Sequence, residues 1–516
     1  MKIRPFLFIL TLSLLSTLSI QAGVKLPAVF SSNMVLQRKA GIPVWGWADP
    51  GEQITVKLNQ QQASATADAQ GQWKVQLPPT EAGGPFEMTI AGKDTVTLKN
   101  VMIGDVWVGS GQSNMAMTVG SSKDAPAEIA QANYSGIRQF SVAQDMSGEP
   151  KNNCRGGWTV CSTNTVARFS AAGYFFAREL HQKLNIPIGI IHSSWGGTPA
   201  EAWSIREKLS SEPVLKPIID NLDKLVADFS RTTFEQYGQA YRDWLAASEK
   251  ARAAGQPIPV FPHVNDPRSY QSRPTVLYNA MIAPLIPYAI TGVIWYQGEA
   301  NAGNATLYQT LFPALIESWR KQWGQGDFPF LFVQLASYYP QKPDPTESRW
   351  AELREAQMMT LSLPKTGMAV AIDIGEAADI HPKNKQDVGK RLALAALSIQ
   401  YGQTLDFSGP LYDGATVEGG GIRIKFKHTG GGLIAKDGGT LKGFAIAGAD
   451  KKFVWADARI DKDTVVVSSS QIPKPAFVRY AWADNPACNL CNKAGLPASS
   501  FRTDGPLGNN GVKVAP

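Results

Sequence analysis

Val101-Met-Ile-Gly-Asp-Val-Trp-Val-Gly-Ser-Gly-Gln-Ser-Asn-Met-Ala-Met117 is the stretch on which the fold turns. Its first half, to Val108, is apolar and rich in β-branched residues, interrupted only by Gly104 and Asp105. Near-continuous hydrophobicity of this kind marks a strand buried on both faces, as in a parallel sheet. Gly109, Ser110 and Gly111 then break the run and permit a turn that a side chain would obstruct. A helix is expected to open near Asn114. Ser113 therefore stands at the carboxyl end of a strand, where open α/β sheets place their ligands, with the N–H groups of a helix start facing the same point. Two readings are open on these residues: Ser113 as a nucleophile, or as an ordinary serine N-cap.

The same pattern recurs further along the chain. Pro187-Ile-Gly-Ile-Ile191, Ala289-Ile-Thr-Gly-Val-Ile-Trp295, Pro329-Phe-Leu-Phe-Val-Gln334 and Gly367-Met-Ala-Val-Ala-Ile372 read as buried strands. Residues 170–184, 306–323 and 385–401 carry apolar residues at helical spacing. Five strands separated by helices predict an α/β domain with a doubly wound parallel sheet over 101–403. Residues 205–273 form a helical insertion, readable as a cleft wall or as surface decoration. On either side the pattern changes to short alternating strands and Gly-rich turns. Residues 24–100 suggest a β-sandwich segment and 404–516 a second β-rich domain, so the α/β domain is inserted between β segments.

The chain has 516 residues, 44% hydrophobic and 18% charged, with a net charge of +7. Its basic residues are scattered, so neither nucleic acid nor a membrane surface is an expected partner. At the N-terminus, Lys2 and Arg4 precede an apolar run from Pro5 to Ile20. This reads as a secretory signal peptide cut after Ala22, with no membrane anchor, and it predicts a secreted or periplasmic protein. In that setting the four cysteines suggest disulfides, most simply Cys154–Cys161 and Cys488–Cys491. One pair has the wrong spacing for a zinc knuckle, so no metal is expected.

Three further stretches lie just beyond predicted strands, on the same rim as Ser113. His192-Ser-Ser-Trp-Gly-Gly-Thr-Pro-Ala-Glu-Ala-Trp203 brings Gly196 and Gly197, which allow close backbone approach. Trp295-Tyr-Gln-Gly-Glu-Ala-Asn-Ala302 carries Glu299 and Asn301. Ala378-Asp-Ile-His-Pro382 carries a histidine two residues from an acid. A serine needs an adjacent base. Of the five histidines, His181, His263 and His428 read as structural or loop residues. His192 competes for the base role, but His381 has Asp379 close enough to orient its ring.

These blocks, Gly-Gln-Ser113-Asn-Met, Ser-Trp-Gly-Gly197-Thr, Trp-Tyr-Gln-Gly-Glu-Ala-Asn301-Ala and Asp379-Ile-His381-Pro-Lys-Asn-Lys, resemble the sialate O-acetylesterase family of SGNH hydrolases. The resemblance extends to Leu26-Pro-Ala-Val-Phe-Ser-Ser-Asn-Met-Val-Leu-Gln37, Leu277-Tyr-Asn-Ala-Met-Ile282 and Gly495-Leu-Pro-Ala-Ser499, nearly the whole chain after the leader. It implies a flavodoxin-like three-layer catalytic domain with Ser113 as nucleophile, His381 as base and Asp379 as orienting acid. The implied oxyanion hole comprises the Ser113 and Gly197 N–H groups and the Asn301 side chain. Gln112, Trp195, Gln297 and Glu299, in the same blocks, are assigned to substrate contact. Ala116 departs from the family, which usually has Glu there.

The expected activity is hydrolysis of O-acetyl esters on carbohydrate, most simply on O-acetylated sialic acids, through an acetyl-enzyme and without a cofactor. Acetylated xylan or xyloglucan is the alternative substrate. A non-catalytic glycan-binding protein would leave the Ser–His–Asp set without purpose. A glycoside hydrolase using Glu299 and Asp379 would do the same for the serine and histidine.

Overall fold

The structure is a computed structural model that describes residues 23–261, 266–505 and 513–514. The expected signal peptide and His263 lie outside the described residues. The N-terminal strands are β1 (Val35–Gln37), β2 (Ile42–Trp47), β3 (Gln53–Leu58), β4 (Gln61–Thr66), β5 (Gln72–Leu77) and β6 (Gly83–Ala91). Strands β2 and β5 pair as a small sheet, while β3 pairs with β4 and β6. Between them Val44, Ile54, Val56, Val75, Leu77, Met88 and Ile90 form a core with almost no exposure, as alternating strands require when one face is buried.

Strand β7 (Thr95–Gly111) is 17 residues long and serves both regions. Its first part pairs antiparallel with β6 and parallel with β1. Its second part lies at the centre of a parallel sheet with β8 (Ile137–Val142), β10 (Ile188–Ser194), β11 (Gly292–Tyr296), β12 (Phe330–Gln334) and β13 (Thr366–Val370). A short antiparallel strand, β9 (Gly156–Val160), closes one edge. The spatial order is β13-β12-β11-β7-β10-β8-β9. From β7 the chain first builds outward on one side, to β8 and β10. It then crosses to the other side for β11, β12 and β13. The reversal occurs at β7, and in an open α/β sheet the crevice at such a switch point is the binding site.

The helices are α1 (Ser113–Ala116), α2 (Ala125–Ala130), α3 (Ala171–Leu184), α4 (Arg206–Ser211), α5 (Lys216–Ala253), α6 (Ala305–Trp323), α7 (Arg349–Met359) and α8 (Lys385–Ile399). Alternation along the strands sorts two cores. Val106, Val108, Val293, Trp295, Phe330 and Phe332 pack with Phe312, Leu315 and Trp319 of α6 and Leu353 of α7. Trp107, Ile294, Tyr296, Leu331 and Val333 pack with Phe175 and Phe176 of α3 and Leu392 of α8. Both faces are covered, which is why these strands read as unbroken apolar runs. The insertion is mostly α5. Leu215, Ile219 and Leu222 at its start are buried, whereas Leu225, Tyr241 and Leu245 further along are exposed.

After α8 the chain forms a five-stranded, a four-stranded and two-stranded sheet, all β. Arg354, fully buried on α7, ties this region to the α/β sheet. Its guanidinium donates to the carbonyls of Leu335, Ala336, Ala483 and Asp484.

The expected disulfides are not formed, and all four cysteines are free. Strand β9 stands between Cys154 and Cys161, and five extended residues span roughly 16 Å, well beyond bridging distance. The two thiols accordingly enter different cores, Cys154 with Trp158 and Cys161 with Ile137. Cys488 lies against Gly443, while Cys491 sits in the strand Leu490–Asn492 opposite Ile434.

Candidate active site

Gly111 ends β7 between two neighbours, paired with Ser194 of β10 and Tyr296 of β11. Its φ is +133°, and a Cβ there would lie 2.2 Å from the Tyr296 carbonyl oxygen. Only glycine fits, so the turn into α1 is fixed in place. Gln112 is the N-cap residue, and Ser113 is the first residue of α1.

Three loops leave neighbouring strands at this rim. The loop after β10 is anchored by Trp195 N–H to the Gly111 carbonyl at 3.1 Å. It passes so close that a Cβ on Gly196 would lie 3.3 Å from the Ser113 Cβ. Gly197 follows with φ +73° and is exposed. Trp195 is half-buried beside it, the one expected substrate-contact residue that keeps an accessible ring on this rim. The chain returning from the insertion lies against this loop, with Ser272 Oγ on the Gly197 carbonyl at 3.4 Å and Thr275 N–H on the Glu201 carbonyl at 2.9 Å. The end of the insertion thus packs against the loop that carries Gly197, while Leu225, Tyr241 and Leu245 of α5 are exposed.

The loop after β11 presents Asn301, which is nearly buried. Its Oδ1 accepts from Gln297 Nε2 at 2.7 Å and Ala200 N–H at 2.9 Å, and its Nδ2 donates to Glu201 at 2.9 Å. Both lone pairs and one N–H are used, which leaves the second amide N–H free among the described residues. The loop after β13 carries Asp379 and His381. Asp379 Oδ1 accepts the His381 backbone N–H at 2.8 Å and lies 3.4 Å from Nδ1 of the ring. Both side chains are partly exposed. This loop reaches the serine turn through Asn114, whose Nδ2 donates to the Ile380 carbonyl at 3.1 Å. No hydrogen bond joins Ser113 Oγ to His381 among the described residues. Such bonds commonly tighten only when substrate is bound.

His192 is placed differently. It lies within β10, with Nε2 2.7 Å from Ser194 Oγ, and burial holds its pKa down at about 4. Its ring is bonded to Ser194 and has no carboxylate beside it of the kind that Asp379 gives His381.

Three residues expected to meet substrate bond to neighbouring protein groups, Gln112 and Gln297 buried and Glu299 half-buried. Gln112 Oε1 accepts from the N–H groups of Gly298 and Ala300, tying the asparagine loop to the serine turn. Gln297 is wholly buried and donates to Thr198 and Asn301 while accepting from Tyr308. Glu299 accepts from Asn114 Nδ2 at 2.5 Å, and burial raises its pKa. Sequence reasoning missed Asn114, Glu201 and Lys385 as site residues. All three stand in the motif blocks quoted above, but spacing does not tell which way a loop side chain points.

A sheet rim that gathers a serine, a histidine beside an acid and an asparagine with a free amide N–H defines a hydrolase of the esterase class. The family model described as "Carbohydrate esterase, sialic acid-specific acetylesterase" matches residues 266–398. Sialate O-acetylesterase of Mus musculus is 34% identical over 78% of this chain and 79% of its own. That of Homo sapiens is 32% identical over 78% and 76%. A crystal structure of a carbohydrate acetylesterase from Xanthomonas citri superposes with a TM-score of 0.80 at 39% identity, over 93% of this chain and 99% of that one. The chain belongs to the sialate O-acetylesterase family and is a carbohydrate O-acetylesterase.

Proposed function

We propose that residues 101–403 are a flavodoxin-like SGNH hydrolase unit flanked by β segments, and that Ser113 is its nucleophile. Without β8 and β9 the strand order is 2-1-3-4-5, which supports the flavodoxin-like reading. His381 takes the proton from Ser113 Oγ as it attacks the acetyl carbonyl carbon. The oxyanion is received by the Ser113 and Gly197 N–H groups and the free N–H of Asn301. Collapse expels the sugar oxygen, which takes the proton from His381. Water, deprotonated by His381, then cleaves the acetyl-enzyme and releases acetate. Asp379 holds the ring and offsets its positive charge.

The observation that carries this reading is the amide of Asn301. Gln297 and Ala200 hold its oxygen, so its nitrogen is the atom left to donate, with one N–H going to Glu201.

The substrate class we infer is O-acetylated sialic acid, supported by the identity to the mouse and human enzymes. The Xanthomonas neighbour, described only as a carbohydrate acetylesterase, keeps acetylated plant polysaccharide as the second reading. Residues 1–22 are read as an export leader, which places the enzyme outside the cytoplasm. Acetate release from O-acetylated sialic acid set against acetylated xylan and xyloglucan tests the substrate. Ser113→Ala, inactive on every acetate with its fold intact, tests the mechanism. Exclusive turnover of the polysaccharides would replace the sialate reading.

A further inference from the structure

Beneath the rim, one amide joins a buried anion to a buried cation. Asn114 follows Ser113 directly and is almost fully buried. Its Nδ2 donates to Glu299 at 2.5 Å and to the Ile380 carbonyl at 3.1 Å, and its Oδ1 accepts from Lys385 Nζ at 2.9 Å. Lys385 has no exposed surface and also donates to the Pro382 carbonyl. The remaining Glu299 oxygen, Oε2, is buried and has no hydrogen-bond partner among the described residues. Four segments therefore meet at this point: the serine turn, the asparagine loop, the histidine loop on both sides of His381, and the start of α8.

Asn114 and Lys385 are buried, and Glu299 is half-buried with its Oε2 enclosed. A buried lysine and a buried glutamate are each costly to desolvate, and they persist together when their geometry is satisfied. The asparagine amide is oriented by them, oxygen to the ammonium and nitrogen to the carboxylate. The two carbonyls held here, Ile380 by Asn114 and Pro382 by Lys385, flank His381. Burial lowers the Lys385 pKa to about 8, against the raising effect of Glu299, Glu376 and Asp379. The other groups facing it are His381, within electrostatic reach of Glu299, and the Tyr296 ring, 5.5 Å from Nζ.

We propose that Glu299, Asn114 and Lys385 are positioning residues that lock the histidine loop onto the nucleophile turn. The lock requires the lysine protonated and the glutamate ionised. It rests on the assignment of Ser113 and His381 above. When Lys385 loses its proton, Glu299 is left as an unpaired buried charge, and the loop it holds through Asn114 loosens.

The test is kcat and KM on an aryl acetate across pH 6 to 10, corrected for uncatalysed hydrolysis. Wild-type kcat is expected to fall along an alkaline limb near pH 8. Glu299→Gln should shift that limb to lower pH, since the charge that keeps Lys385 protonated is gone. Lys385→Met should lower kcat by about tenfold or more with KM little changed, because an interaction that places the base is lost while substrate contacts remain. A residue that only stabilised the fold would move neither the limb nor the split between kcat and KM. A wild-type kcat that stays flat to pH 10 overturns the proposal without any variant having to fold. So does a folded Glu299→Gln with an unshifted limb. Turnover by Ser113→Ala would instead overturn the catalytic assignment itself, so the two failures are told apart.

Discussion

Asn301 gives one of its two amide N–H groups to the Glu201 carboxylate at 2.9 Å. That bond fixes the rotation of the amide about its last torsion and leaves its other N–H available for the oxyanion contact proposed above. Asn301→Ala is therefore expected to lower kcat by about 10²- to 10³-fold with little change in KM, the usual cost of one oxyanion donor. Glu201→Ala removes the orientation but not the donor and should cost less. Steady-state kinetics on one acetyl ester separates these outcomes. A rise in KM with kcat intact would show that Asn301 binds the ground state instead.

His381 and His192 were rivals in the sequence, and the structure separates their surroundings. His381 shares a loop with Asp379 on the rim, and His192 is bonded to Ser194 inside β10. His381→Ala should lose activity on the order of 10⁴-fold, as triad members do, and adding Ser113→Ala should cost little more. Asp379→Asn should cost less. Its Oδ1 already serves the His381 backbone N–H and stands 3.4 Å from the ring. His192→Gln should retain most of kcat. An inactive, folded His192→Gln beside an active His381→Ala would reassign the base.

Strands buried on both faces were legible as apolar runs, and β7, β10, β11, β12 and β13 announce themselves in that way. β8 did not, because Arg138 and Gln139 interrupt it. In the fold Arg138 is buried, and its guanidinium is satisfied by the carbonyls of Asn33 and Asn100. Helix α7 was hidden for the same reason, with Arg354, Glu355 and Gln357 all buried along it. A pattern reader scores such residues as exposed, and only tertiary hydrogen bonding shows otherwise. The site divides similarly. Glycine-bounded turns after apolar runs located the rim and its four loops. The partners that hold Gln112 and Glu299, and Thr198 beside Gln297, lie far away in sequence, and spacing on an irregular loop does not encode them.

The cysteines make a direct test of the fold. All four thiols are free, and burial raises Cys154, Cys161 and Cys491 to about 11 and Cys488 to about 12. Denaturing, non-reducing titration should count four thiols, while the native protein should react slowly, since the thiolate is the reactive form. A count of zero would restore the two local disulfides and would mean that the chain between Cys154 and Cys161 is not the extended strand β9.

His192 also predicts a pH dependence of stability. Its folded pKa is about 4, against an ordinary value of 6.5, because burial disfavours the imidazolium. Between those values the unfolded chain binds a proton that the folded chain does not. Stability from this group is therefore complete above pH 6.5 and is lost as the pH falls toward 4, by at most roughly 3 kcal/mol. Buried carboxylates titrate over part of the same range, so the comparison must be with a variant rather than with an absolute curve. His192→Gln cannot take up that proton and should be less stable than wild type at pH 7, where the packed ring and its bond to Ser194 are lost. The gap should narrow steadily as the pH is lowered from 6.5 to 4.5. Urea midpoints at several pH values read this directly. Parallel curves would mean that His192 titrates alike in both states and is not enclosed as described.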